Sequence, residues 1–122
     1  MHWFNKGKPK ELWDEVIQWP IDDLEAARRI RDVCNSAVGS AERVGSQVGG
    51  AETKASMYET ERYKRAAKAA MEIAIKISDD LLRDAALCQI VVLCVKANEL
   101  RTAAILFRAI QAVSIVARWS IV

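Results

Sequence analysis

Two alanine-rich segments, KAAMEIAIKI from Lys68 and RTAAILFRAI from Arg101, start 33 residues apart and put Ala70 level with Ala103, Ile73 with Leu106 and Ile77 with Ile110. Apolar residues at steps of three and four mark one face of an α-helix. The segment between them, Ala85 to Val95, is apolar on every face, which suits a helix sandwiched between neighbours. A helix–helix–helix run at this period has the geometry of a helical-hairpin repeat, whose faces are buried only by stacking on neighbours. The chain is therefore expected to be all-α, with four or five antiparallel helices in a hairpin stack or bundle.

The remaining boundaries follow from caps and breakers. The aromatic-rich arm 1–21 holds Trp3, Trp13 and Trp19. Within it, Pro9 and the pattern Leu12, Trp13, Val16, Ile17 predict a short amphipathic helix closed by Pro20. Asp22 with Glu25 three residues on predicts a capped helix start, and Leu24, Ala27, Ile30, Cys34 and Ala37 continue it. Gly39, Gly45, Gly49 and Gly50 each cost about 1 kcal/mol inside a helix. The spacing nevertheless keeps Val33, Ala37, Ala41, Val44 and Val48 on one stripe. Two readings are open for 39–51, a loose glycine-rich connection after about Ser40 or a thin helix whose glycines admit a neighbouring backbone, and the first is favoured. A long helix is expected over Glu52 to Ile77. Ser78-Asp79-Asp80 breaks it and caps the next, Leu81 to Ala97, and Asn98 suits a left-handed helix terminus. The last helix runs from Glu99 to about Ser120, with Leu100, Ala103, Phe107, Ile110, Ser114, Ala117 and Ile121 as its core-facing stripe.

At 122 residues and 52% hydrophobic, with a mean hydropathy of zero, the sequence suits a single domain over 1–122 with one core. Its 18 basic and 16 acidic side chains leave a net charge of only +2, too little for a dedicated nucleic-acid binder. The excess sits in the C-terminal third, where five basic residues from Leu81 onward face two acidic ones. Cys34, Cys88 and Cys94 are odd in number and read as reduced, packed thiols of a reducing compartment. No apolar run reaches the 18 to 20 residues that span a bilayer. Met1 to Lys8 has no apolar block before a small-residue cleavage site, so a secretory signal is not expected and the cytoplasm is the expected location.

From Ala70 to Ile110 the sequence resembles helical-hairpin repeats of the tetratricopeptide-like superfamily. In some of these, a helix ending in isoleucine, a short Ser/Asp turn, an Arg-Asp pair and an Ala-Leu begin the next helix. Ile77, Asp79, Arg83, Asp84, Ala86 and Leu87 match that pattern. The glycine-plus-aromatic positions of the first helix and the proline that closes the second are absent. The resemblance covers a third of the chain and implies a hairpin stack with a protein-binding role.

Catalytic chemistry finds no constellation. The lone histidine is His2, and no nucleophile triad, zinc set or phosphate-cradling glycine motif can be assembled. Asp79, Asp80 and Asp84 lack the loop of alternating oxygen ligands that a hard cation requires, and helix capping accounts for them. No enzyme, cofactor or metal is expected. Arg62, Lys64, Arg65 and Lys68, beside Tyr58 and Tyr63, form a basic patch that could hold phosphates and stack bases, though Glu52, Glu59 and Glu61 offset its field. On the last helix, Arg101, Ile105, Phe107, Arg108, Ile115, Arg118 and Trp119 combine apolar and arginine surface. Apolar side chains there outnumber the places in a core, and uncovered patches mark interfaces. The expected function is a non-enzymatic protein-interaction module that binds a partner or itself through this helix, with Phe107 or Trp119 as anchor and Arg101 and Arg108 as flanks. A homodimer is the expected way to cover it. The alternatives are a nucleic-acid or anionic-surface binder using Arg62 to Lys68 with the C-terminal arginines Arg101, Arg108 and Arg118, and a cover formed by the N-terminal tryptophan arm.

Overall fold

The computed structural model describes residues 11–46 and 54–121, with side chains as far as residue 110. A single 3-10 turn, Leu12–Asp14, precedes four helices: α1 Asp23–Gly45, α2 Lys54–Ala74, α3 Asp80–Lys96 and α4 Leu100–Ile121. The fold is all-α, with no strand among the described residues.

α1 starts where its cap predicts. The Asp22 carboxylate accepts the Glu25 amide at 2.7 Å, satisfying one of the orphan donors of the first turn. The Glu25 side chain does not reach back to complete a box. It pairs with Arg28 and Arg29 along the helix instead. The first residue of the helix, Asp23, reaches across the fold to start another element. Its two oxygens accept the amides of Ser78 and Asp79 at 3.1 and 2.9 Å, just before α3. Asp79 then caps α3 by accepting the Leu82 amide. The starts of α1 and α3 are thus tied side by side, which sets the two helices parallel. α2 runs antiparallel between them in sequence, its Glu59 and Arg62 meeting Ser40, Arg43 and Ser36 near the far end of α1.

Small side chains decide how closely these helices approach. Ala37 and Ala41 of α1 and Ala66, Ala70 and Ala74 of α2 are fully buried, so the two backbones pack with little between them. Ile30 of α1 and Ile90 and Leu93 of α3 fill the rest of the core. α3 ends in a paired motif: the Asn98 amide donates to the Val95 carbonyl and the Glu99 amide to the Cys94 carbonyl, both at 2.9 Å. Asn98 adopts φ 60°, the left-handed conformation its short polar side chain tolerates. The chain reverses there, and α4 packs back against α3 alone among the described residues.

Four expectations are corrected. Leu12 to Ile17 is not a helix but one 3-10 turn followed by extended chain, because Glu11 and Asp14 close a tight reciprocal cap on themselves. Residues 39–45 are not a loose connection: α1 continues to Gly45, while 47–51 lie outside the described residues. The reason is contact. A side chain at Gly45 would meet the Lys96 carbonyl oxygen at 2.0 Å, so this glycine is where α1 and α3 touch backbone to backbone. α3 is not covered on every face, since Leu81, Ala85, Cys88, Val92 and Val95 face outward. Finally, Leu100 and Phe107 are not in the core stripe of α4. They are 58% and 49% exposed, and of the described side chains only Ala103, Leu106 and Ile110 turn inward, because one neighbouring helix covers only a narrow stripe; Ser114, Ala117 and Ile121 lie outside the described side chains.

Candidate interaction surface

With α3 its sole neighbour among the described residues, α4 presents two adjacent outward ridges over its described side chains. Leu100, Ala104 and Phe107 form one, at steps of four and three, and Arg101, Ile105 and Arg108 form the other at the same spacing. All six are exposed, Ile105 by 60%. The structure therefore brings Arg101 and Arg108 onto one line with Ile105 between them, and sets Phe107 beside that line. The helix backbone continues to Ile121, but the side chains of Ile115, Arg118 and Trp119 lie outside the described residues.

The basic patch on α2 is arranged differently from its appearance in the sequence. Arg62 makes a bidentate pair with Glu11, at 2.8 and 3.0 Å, donates to the Ser40 hydroxyl at 2.8 Å and lies over the Trp13 ring at 4.9 Å from its centroid. Its hydrogen bond to Glu11 holds the guanidinium even more basic than usual, against the opposing effect of burial. Arg65 is paired with Asp14. Tyr63, the expected stacking partner, is buried, and that burial raises its phenol above the ordinary value. Lys64 and Lys68 are exposed and Tyr58 is half-exposed, so with the exposed but ion-paired Arg65 four of the six patch residues remain on the surface as the sequence suggests.

What sequence reasoning missed is the docking of the arm. Residues 11–19 lie against α1 and α2 rather than against α4, fixed by Glu11 and Asp14 pairing with Arg62 and Arg65. Further along, Glu15 pairs with Arg29, and the Lys76 ammonium sits 4.5 Å from the Trp19 ring centroid. A signal was present: two acids three apart in the arm match two arginines three apart in α2. Under the arm lies a half-open cavity of about 590 Å³, walled by Trp13, Ile17 and Trp19 on one side and Val33 and Ile73 on the other. Beneath this network Glu59 sits between Ser40 and Arg43. Burial would raise its carboxyl, but the hydrogen bonds from Ser40 and Arg43 and the charges of Arg43 and Arg62 outweigh it and hold it below the usual carboxylate range.

Chemically reactive groups are scarce. Burial, reinforced by nearby Cys94, pushes the Cys34 thiol up to about 12, and burial also raises Cys94, so both are neutral and unreactive at physiological pH. Cys88 is exposed. Among the described residues no three metal-binding side chains converge, and no helix is long and apolar enough to cross a membrane. Comparison with protein-family models, with curated proteins and with solved structures gave no match.

Proposed function

We propose that this chain is a non-enzymatic protein-interaction module that binds a partner protein through the outer face of α4. The observation that carries the reading is the exposure of Ile105 and Phe107 in a helix that, among the described residues, is held on one side only, bracketed by Arg101 and Arg108. Docking such apolar side chains gains about 25 cal/mol for each Å² of apolar surface removed from water. Arginines at the margin add bidentate hydrogen bonds to a partner's carboxylates or carbonyls. Residues 70–110 lend the same support: α2 with α3 and α3 with α4 are successive hairpins, the building unit of stacks that present extended binding faces. The nucleic-acid reading draws on less, because Arg62 and Arg65 spend their donors on the arm.

The experiment is affinity capture from the native host, treated with nuclease, comparing wild type with Ile105→Asp. A protein retained by wild type, retained at high salt and lost with Ile105→Asp supports the reading. Retention that disappears with nuclease, or with modest salt, would transfer the function to the α2 lysines.

A further inference from the structure

The outward ridge of α3 is a second apolar surface, on a different helix from the α4 face and independent of the function proposed for it. Leu81, Ala85, Cys88, Val92 and Val95 follow one another at steps of four, three, four and three. Leu81 is 82% exposed, Val92 51% and Val95 50%, and no charged side chain interrupts the line. That alternation is the spacing of a coiled-coil seam, and here it runs about 21 Å with none of the described helices lying on it. The residues at its middle, Ala85 and Cys88, are small, so a facing helix can approach closely. Beside them, between α1 and α3, an open furrow of about 350 Å³ is lined by Cys34, Val38 and Val92, which extends the apolar ground laterally.

Charge says what can lie there. Because α1 and α3 are parallel, their starts share one end of the fold, and that end gathers Asp22, Asp23, Asp79, Asp80 and Asp84. Arg83 offsets one of these, and the opposite end carries Arg43, Lys96 and Arg101 against Glu42 and Glu99, which leaves it weakly basic. A second copy laid antiparallel brings each acidic end beside a basic one and opposes the helix dipoles, whereas a parallel copy would set acid against acid. We infer that the occupant is a second copy of this chain, forming a symmetric dimer in which the two α3 ridges pack antiparallel. Cys88, the central residue of the five, then opposes its own counterpart, and Leu81 meets Val95 of the second copy. Such an isologous contact closes on itself and leaves α4 free on both protomers.

The test uses the whole chain. Light scattering on size-exclusion fractions is expected to give twice the 13.6 kDa chain mass for wild type and for Ile105→Asp, and the single-chain mass for Val92→Asp with its helical dichroism intact. If Val92→Asp loses helicity, Val95→Glu takes its place. Orientation is read in a Cys88→Ser background by mixing Leu81→Cys protein with Val95→Cys protein and adding diamide. Diamide is reduced to the hydrazine as two thiols become one disulfide. The expected product is the mixed disulfide. Homodisulfides in place of it would mean a parallel dimer, and a wild type that stays monomeric at high concentration would remove the dimer altogether; either result overturns the inference. A dimer abolished by Ile105→Asp and unaffected by Val92→Asp would place self-association on α4, which also overturns it while leaving the α4 face as an interaction surface.

Discussion

Gly39 and Gly45 stand six residues apart in the same helix, and the same substitution is expected to act on them in opposite directions. In an ordinary helical position glycine to alanine stabilises by up to about 1 kcal/mol, because alanine restricts the unfolded chain and glycine does not. At Gly39 nothing opposes this gain: a methyl group would meet only the guanidinium of Arg43, at 3.8 Å, which can swing aside. At Gly45 the methyl carbon would lie 2.0 Å from the Lys96 carbonyl oxygen and 3.0 Å from its carbon. Real contacts of this kind stop at 3.0 Å or more, so α1 and α3 would have to part by about 1 Å at that end. Overpacking of a closed contact costs about 1 to 3 kcal/mol. Gly45→Ala is therefore expected to lose about 1 to 2 kcal/mol net, while Gly39→Ala gains about 0.5 to 1 kcal/mol. Urea unfolding followed at 222 nm reads both. With a slope of about 1 to 3 kcal/mol/M for a small domain, the two midpoints should move apart by roughly 1 M in opposite directions. Equal stabilisation by both substitutions would refute the backbone contact between α1 and α3.

Three further outcomes are expected. Asp23→Ala leaves the amides of Ser78 and Asp79 without their acceptors and should cost about 1 kcal/mol, whereas Asp23→Asn keeps one acceptor and should lose less in the same urea experiment. Arg62→Ala removes the anchor of Glu11 and Trp13, so hydrogen–deuterium exchange should rise in peptides covering residues 11–22 and stay unchanged in α3; equal exchange in both variants would show that the arm is held by its apolar contacts. Alkali should weaken the fold through Cys34. Its unfolded thiol ionises near pH 9 and the folded one only near 12, so the stability it contributes is fully present below about pH 9 and lost as pH rises towards 12. Cys34→Ala should flatten that alkaline limb of the melting temperature; an unchanged limb would assign it to other groups.

Local signals in the sequence were enough for the helix ends. Asp22, Asp79 and Asn98 act on neighbours within a few residues, so their roles as caps and as a left-handed terminus could be read from the chain alone. Gly45 could not be read this way, because what justifies it is the Lys96 carbonyl, 51 positions away and invisible to local propensity. The same limit explains the apolar surroundings of α3. A helix that is apolar on all sides can be enclosed or can expose a ridge, and only the placement of α1, α2 and α4 shows that Leu81, Val92 and Val95 are left outside. On α4 the stripe was correctly located at Ala103 and Ile110 but drawn too wide, since the sequence does not reveal that a single helix covers it. The arginines of α2 were recognised as a group; that two of them serve the arm depended on contacts across about 50 residues.

The one-sided packing of α4 also bears on how the molecule breathes. Helices enclosed on several sides can lose protection only when the domain unfolds as a whole, but one attached along a single stripe can lift away while the rest stays assembled. The stripe is short in side chains, Ala103, Leu106 and Ile110 over the described part, so its detachment draws on a modest share of the apolar burial. Amides in α4 should then exchange through a partial opening of lower free energy than those of Ile30 or Ile90. A ligand gripping that helix would slow this opening before it raised the melting temperature of the three-helix remainder, separating the energetics of recognition from those of the scaffold.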